Sequence, residues 1–264
     1  MKKIESAANP HFKLLRELID SSRQRRSSGL SVLEGIHLVQ AYQAGKGAPE
    51  QLWVSEMGAK NIEINQIVNG CSSSQILLLA DRLFNQLSQV ATPTGIVAVV
   101  KTPRPQPVPA DMRVCVLLEN IQDPGNVGTI LRTAAAAGVR HVLLSNTSVH
   151  AWSPRVLRAG MGAHFALEIH EQADLQAVAT SFKGRVLATR RGATRSLYRC
   201  DLTGNVAMLF GNEGSGLSPG LRAVAHEEVS IPMPGGSDSL NVAAAVAVCL
   251  FERVRQLQAV QDTK

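Results

Sequence analysis

The sequence predicts an α/β protein with two domains: a small N-terminal α/β domain, and a larger C-terminal domain built on a mostly parallel sheet flanked by helices. Three observations support this. The chain has 264 residues, more than one average domain, and 45% of them are hydrophobic, which is enough for two modest cores. Four alternating prolines, Pro103, Pro105, Pro107 and Pro109, forbid helix and favour a stiff extended connector. Beyond them, short apolar runs alternate with helical stretches, the pattern of a parallel sheet covered on both faces. The expected boundaries are residues 1–101 for the first domain, 102–110 for the connector and 111–264 for the second domain.

In the first domain, residues 11–20 predict a helix, and Leu30–Leu33 a strand followed by a helix through about Gly45. Leu52–Val54 and Ile64–Val68 read as strands, Ile76–Ser88 as an apolar start running into a helix, and Ile96–Val100 as a closing strand. In the second domain the strand candidates are Val114–Leu118, His141–Leu144, Phe165–Ile169, Val186–Thr189, Val206–Phe210 and Val229–Ile231. Val127–Ala137 is an alanine-rich helical stretch. In Leu240–Leu257 the apolar positions 243, 246, 247, 250, 254 and 257 follow a helical period, with Asp238 or Ser239 as N-cap.

Composition excludes several classes. No run reaches about 18 apolar residues and no signal-peptide pattern opens the chain, so a cytoplasmic protein without a membrane partner is expected. Cys71, Cys115, Cys200 and Cys249 stand far apart with no C-x-x-C pair, which indicates neither a disulfide scaffold nor a metal site. The net charge is +6. Much of it lies at the start, where Lys2, Lys3, Lys13, Arg16, Arg23, Arg25 and Arg26 face only Glu5, Glu17 and Asp20. Such an arm suits phosphate contacts and equally a solvated helix face.

Ligands of open parallel sheets bind outside the carboxyl ends of the strands. Three loops following strand candidates mix glycine with hydrogen-bonding side chains: residues 119–128 leading to Arg132, 211–217, and 231–241. Any one of them could be an ordinary turn. Three in one domain suggest a site where glycine brings close to a ligand backbone groups that can recognise the edge of an adenine without any charged side chain. Gly160-x-Gly162 and Gly214-x-Gly216 lack the third glycine of a dinucleotide fingerprint. There is no P-loop, no H-E-x-x-H and no G-x-S-x-G.

Asn126 with Arg132 six residues on, Gly-Asn-Glu-Gly-x-Gly-Leu at 211–217, and Ile-Pro-Met followed by Ser-Leu-Asn at 231–241 together resemble the SpoU (TrmH-like) branch of the SPOUT methyltransferases. The N-terminal segment, with Phe12-Lys-Leu-Leu, Glu34-Gly35 and Gly95-Ile-Val-Ala, resembles the substrate-binding domain often placed before that catalytic domain, itself similar to ribosomal RNA-binding proteins. The resemblance implies a deep trefoil knot in the C-terminal chain and a homodimer whose site draws on both subunits. It also implies methyl transfer from S-adenosylmethionine to a ribose 2′-hydroxyl of structured RNA, ribosomal rather than transfer RNA. On the family pattern, Leu209, Gly211, Ile231, Met233 and Leu240 match cofactor-binding or lining positions, and Asn126, Arg132, Glu213, Ser239 and Asn241 match catalytic ones. Arg190, Arg191, Arg195 and Arg199 are candidates for the RNA groove. The chain departs from the pattern at Gly160, Met161 and Ala243, none of which is one of the five catalytic positions. A catalytically silent RNA-binding or ribosome-assembly protein on the same fold is the alternative, and intact Asn126, Arg132, Glu213, Ser239 and Asn241 argue against it. A nicotinamide oxidoreductase would need the missing fingerprint.

Overall fold

Two sheets organise the computed structural model, which describes residues 2–71, 73–109, 111–235 and 239–262. Before the proline run the elements are β1 (Lys2–Ile4), α1 (Pro10–Asp20), α2 (Ser22–Ser28), β2 (Leu30–Glu34), α3 (Ile36–Lys46), β3 (Gln51–Ser55), α4 (Ile62–Asn69), β4 (Gln75–Leu79), α5 (Asp81–Leu87) and β5 (Ile96–Lys101). After it come β6 (Val114–Leu118), α6 (Pro124–Ala136), β7 (His141–Leu144), α7 (Pro154–Gly160), β8 (Glu168–His170), α8 (Leu175–Ser181), β9 (Arg185–Thr189), β10 (Arg195–Ser196), β11 (Val206–Phe210), α9 (Pro219–Ala223), β12 (Glu227–Ser230) and α10 (Val242–Asp262). The chain divides into two compact units, Met1–Pro103 with Trp152–Phe165, and Arg104–Ala151 with Ala166–Lys264.

The first unit is a mixed sheet in the order β1-β4-β3-β5-β2, with β5 antiparallel to both β3 and β2. Trp53, Leu77 and Val97 from the sheet bury against Phe12, Leu15 and Leu18 of α1. The segment expected as a strand at Ile64–Val68 is instead the helix α4. Asn61 decides this locally, because its Oδ1 accepts the N–H groups of Glu63 at 2.8 Å and Ile64 at 3.4 Å, capping the first turn. Ile64 and Ile67 then fall on one buried helical face three residues apart.

The unit differs in one respect from a division drawn at the prolines alone, because Trp152–Phe165 belongs to it. Arg158 pairs with Glu34 at 3.5 Å, the Met161 carbonyl meets His37 Nε2 at 3.2 Å, and Phe165 packs edge-on against Tyr42. The basic arm is also more structured than its composition suggests. Arg25 is buried, and its Nη1 donates to the carbonyls of Leu18 at 2.7 Å and Ile19 at 2.9 Å, tying α2 to the end of α1. Lys3 pairs with Glu5 and Glu56.

In the second unit seven strands run in the order β10-β12-β9-β11-β6-β7-β8, and every neighbouring pair is parallel. The chain winds outward from β6 through β7 to β8, then crosses to the other side, so the direction of winding reverses between β6 and β11. Leu117, Leu143, Val186, Ala207 and Leu209 form the core on one face together with α8 and α9 residues such as Leu175 and Leu221. The strand expected over Phe165–Ile169 begins only at Glu168, after a short 3-10 turn at Ala163–Ala166, and that expected over Val229–Ile231 is Glu227–Ser230.

Helices α6 and α10 pack together and both start beside the β6–β11 junction. Pro124 opens α6, and the Asp123 carboxylate caps it by accepting the Asn126 N–H at 2.8 Å. The cap of α10 is Asn241 rather than Ser239, since Asn241 Oδ1 accepts from Ala243 N at 2.9 Å and Ala244 N at 3.3 Å. The other cap candidate, Asp238, lies outside the described residues.

Replacing Arg25 with Ala removes charge-assisted bonds to two main-chain carbonyls and is expected to cost about 2 kcal/mol of unfolding free energy in denaturant titration. Arg23→Ala and Arg26→Ala, on the exposed side of α2, should change stability by no more than about 0.5 kcal/mol.

Candidate active site

A parallel sheet whose winding reverses leaves a crevice at its carboxyl edge, because the loops leaving the two central strands run in opposite directions. Here those loops are 119–123 after β6 and 211–217 after β11. A cavity of about 380 Å³ opens beside the second loop, within the usual range for small-ligand sites. Its wall comes from the ends of β9, β11 and β12, from 211–217, and from the start of α10.

Asn212 builds the 211–217 loop. Its Nδ2 donates to the Asn120 carbonyl at 3.0 Å, while its Oδ1 accepts the N–H groups of Gly214 at 2.9 Å and Ser215 at 3.1 Å. The Gly216 N–H returns to the Asn212 carbonyl at 2.9 Å, closing the turn. Gly211 sits so close to the returning chain that a Cβ there would lie 2.3 Å from the Gly216 carbonyl carbon. Glycine is therefore required for the close approach of the two backbones. Glu119, at the end of β6, secures the exit of the loop by accepting the Ser218 N–H at 2.7 Å.

Three polar side chains from three segments meet beside this loop. Asn126 on the first turn of α6 donates through Nδ2 to Glu213 Oε1, and its Oδ1 accepts from Asn241 Nδ2 at 2.9 Å. The direction of this chain is set from one end: an ionised carboxylate only accepts, so Asn126 must present its NH₂ to Glu213 and its oxygen to Asn241. Asn241 in turn spends its own oxygen on the α10 cap. One hydrogen-bonded line thus joins the loops after β6, β11 and β12.

Glu213, Ser239, Gly211, Ile231, Met233 and Leu240 line the cavity, while Asn126 and Asn241 stand next to it through Glu213 and Leu240. Leu209 does not line it. Side chains alternate along a strand, and Leu209 is fully buried in the opposite core, so the β11 side chain on the wall is Phe210. Arg132 is exposed and makes no hydrogen bond or ion pair among the described residues. Six residues beyond Asn126, it lies about 9 Å further along α6 and is absent from the cavity wall.

Two arginines on the rim share one acid. Arg190, just after β9, and Arg222 on α9 each donate from Nε to the Glu228 carboxylate at 2.6 Å, and both line the cavity. These two guanidinium groups, Arg222 first, hold the Glu228 carboxyl below the usual carboxylate range. Arg191 also lines the cavity; Arg195 and Arg199 do not.

Comparison with protein families matches residues 113–251 to the SpoU rRNA Methylase family and residues 9–98 to an MRM3-like substrate binding domain. The chain belongs to the SpoU rRNA methylase family. A Synechocystis protein named "uncharacterized tRNA/rRNA methyltransferase slr1673" is 34% identical over 258 residues, covering 96% of this chain and 93% of that protein. The 23S rRNA (guanosine(2553)-2'-O)-methyltransferase RlmP of Bacillus subtilis is 28% identical over 254 residues, 95% of this chain and 98% of that enzyme. Among solved structures, the AdoMet-bound rRNA methyltransferase from Sinorhizobium meliloti superimposes with a TM-score of 0.81 at 26% identity, covering 97% of this chain and 98% of that one.

Within this SpoU methyltransferase, the residues that motif comparison does not single out are Asn212, Glu119, Arg222 and Glu228. Asn212 sits inside the glycine-rich motif and is legible there as a turn former. Glu119 opens the 119–128 loop, but its bond to Ser218 and the meeting of Arg222 with Arg190 on Glu228 arise only through the strand order.

Gly211→Ala should destabilise the second unit by about 1–3 kcal/mol, because main chain rather than a flexible side chain opposes the new methyl group. Gly214→Ala, whose Cβ would first meet Asn212 Oδ1 at 3.4 Å, should stay within about 0.5 kcal/mol by the same unfolding measurement.

Proposed function

We propose that this protein transfers a methyl group from S-adenosylmethionine to a ribose 2′-hydroxyl of ribosomal RNA. The observation that carries the reading is the directional line Asn241–Asn126–Glu213 alongside a glycine-walled cavity at the sheet's switch point. Membership of the SpoU family and relatives named as 23S rRNA 2'-O-methyltransferases give the reaction class. The MRM3-like match supports reading the first unit as the RNA-docking part of the same chain.

The cavity suits an adenosyl ligand on two counts. Gly211 contributes only backbone to the cavity wall, the space beside its Cα being taken by the returning chain at Gly216. Ile231, Met233 and Leu240 supply an apolar wall with main-chain donors and acceptors at its edge. In this reading Gly211, Ile231 and Leu240 hold the adenosyl part mainly through backbone groups. When bound, S-adenosylmethionine supplies a methyl group on a sulfonium, open to in-line displacement.

The protein's share of the reaction is positioning. Asn126, Ser239 and Asn241 orient the ribose so that its 2′-oxygen faces the methyl carbon, and Glu213 fixes the Asn126 amide. Arg132 is the family's catalytic arginine by position, yet a guanidinium is a poor base at neutral pH. Its proposed role is to clamp an RNA phosphate and stabilise the negative charge developing on the 2′-oxygen, with the proton leaving through phosphate or water. That Arg132 stands clear of the cavity in its own chain supports a homodimer in which each site is completed across the subunits. The strand order β10-β12-β9-β11-β6, with α10 returning to α6, is consistent with the trefoil-knotted path proposed for this chain.

Arg132→Lys is expected to reduce methyl transfer to rRNA by at least about 100-fold while leaving S-adenosylmethionine affinity within about twofold. A fully active Lys variant would sink the role assigned to Arg132. For the function itself, ribose methylation is mapped across total RNA from cells with and without the gene. Loss of one or a few 2′-O-methyl marks in rRNA is expected, and an unchanged map with intact RNA binding would point to a catalytically silent RNA binder.

A further inference from the structure

Arg190 and Arg222 reach the cavity rim from different elements, and a single carboxylate on β12 sets the distance between them. Glu228 Oε2 takes Arg190 Nε and Glu228 Oε1 takes Arg222 Nε, each at 2.6 Å. Because both contacts use Nε, the terminal amino groups are left over. Arg190 Nη1 reaches the Arg191 carbonyl at 3.3 Å, whereas Arg190 Nη2 and both Nη groups of Arg222 make no hydrogen bond among the described residues.

One carboxylate neutralises one guanidinium, so the trio keeps a net positive charge. An exposed trio of this kind adds little to the stability of a fold. What it does achieve is order, since two long side chains are held at a fixed spacing with planar N–H donors left for an acceptor. The neighbouring acid provides a contrast. Glu227 likewise binds two arginines, Arg185 and Arg195, but neither of those arginines lines the cavity. The side chains of Arg190 and Arg222 are 41% and 42% exposed, open enough for a macromolecule to reach them.

We propose that Arg190 and Arg222, spaced by Glu228, form a clamp for one phosphodiester of the RNA at the mouth of the cavity, with Glu228 acting as a positioning residue. This inference rests on the RNA-methyltransferase reading, and it names a contact that holds the RNA strand next to the reacting ribose. A phosphodiester fits because its two unesterified oxygens accept paired N–H donors from two guanidinium groups.

The test uses the full-length protein and rRNA purified from cells lacking the gene, with binding measured over a range of salt concentrations. Arg190→Gln and Arg222→Gln should each weaken binding about tenfold and flatten the slope of log K against log salt by about one. Arg195→Gln, away from the cavity wall, should affect both much less. Arg222→Lys keeps the charge but loses the fork, and should recover the salt slope without recovering the full affinity.

Glu228→Gln decides between ordering and neutralisation. If Glu228 orders the clamp, this variant binds RNA more weakly and raises the KM for RNA several-fold even though it gains positive charge. If the acid merely neutralises, binding tightens, and the proposal is overturned. Unchanged RNA affinity in the arginine variants overturns it as well, as does a loss confined to S-adenosylmethionine affinity, which would assign the arginines to the cofactor's carboxylate. Wild-type protein that binds this RNA but transfers no methyl group would refute the proposed function while leaving the clamp to be judged on its binding results.

Discussion

The reversal of winding between β6 and β11 governs the second unit. Seven parallel strands are covered by helices, so their edges and faces are largely spoken for, and the carboxyl edge at the reversal is where loops diverge and leave room for a ligand. Each strand near that point delivers a short loop to the same place: 119–123 from β6, 190–191 from β9, 211–217 from β11 and 231–241 from β12. Residues more than a hundred positions apart, such as Asn126 and Asn241, become hydrogen-bond partners because these strands stand side by side.

Precision within that crevice comes from amides whose orientation has no freedom. Asn212 uses both ends of its side chain to fold the glycine-rich loop, and Asn241 spends its oxygen on the α10 cap and its nitrogen on Asn126. Asn126 is held between a carboxylate that can only accept and an NH₂ that can only donate. The polar line is exposed at the cavity rather than buried, so it costs little desolvation and leaves its outer faces for a substrate. Helix capping and site construction are therefore the same act at both Asp123–Asn126 and Asn241.

Charge is handled differently in the two units. In the first, Arg25 has turned inward to satisfy the last carbonyls of α1, which removes it from the basic arm that the composition suggests. In the second, Glu227 and Glu228 each gather a pair of arginines, and only the pair on Glu228 lies on the cavity wall. Net charge along a chain thus says little about which cations are free to meet phosphate, since acids elsewhere in the chain claim some of them.

The sequence alone determined the α/β class, most of the strands and the three loops at strand ends, because apolar periodicity and glycine-rich motifs act over a few residues. It misread Ile64–Val68, where a short apolar run fits strand or helix equally and the Asn61 cap tips the balance. It set Leu209 among the lining residues, because a motif does not record which side of a strand faces the ligand; the alternation of side chains gave that place to Phe210. Only the tertiary structure decided that Trp152–Phe165 belongs with the first unit, that Arg25 is structural, and that Arg190, Arg222 and Glu228 form one group. The last of these depends on which strands lie beside one another, and that order is set by packing over the whole unit rather than by any local stretch of residues.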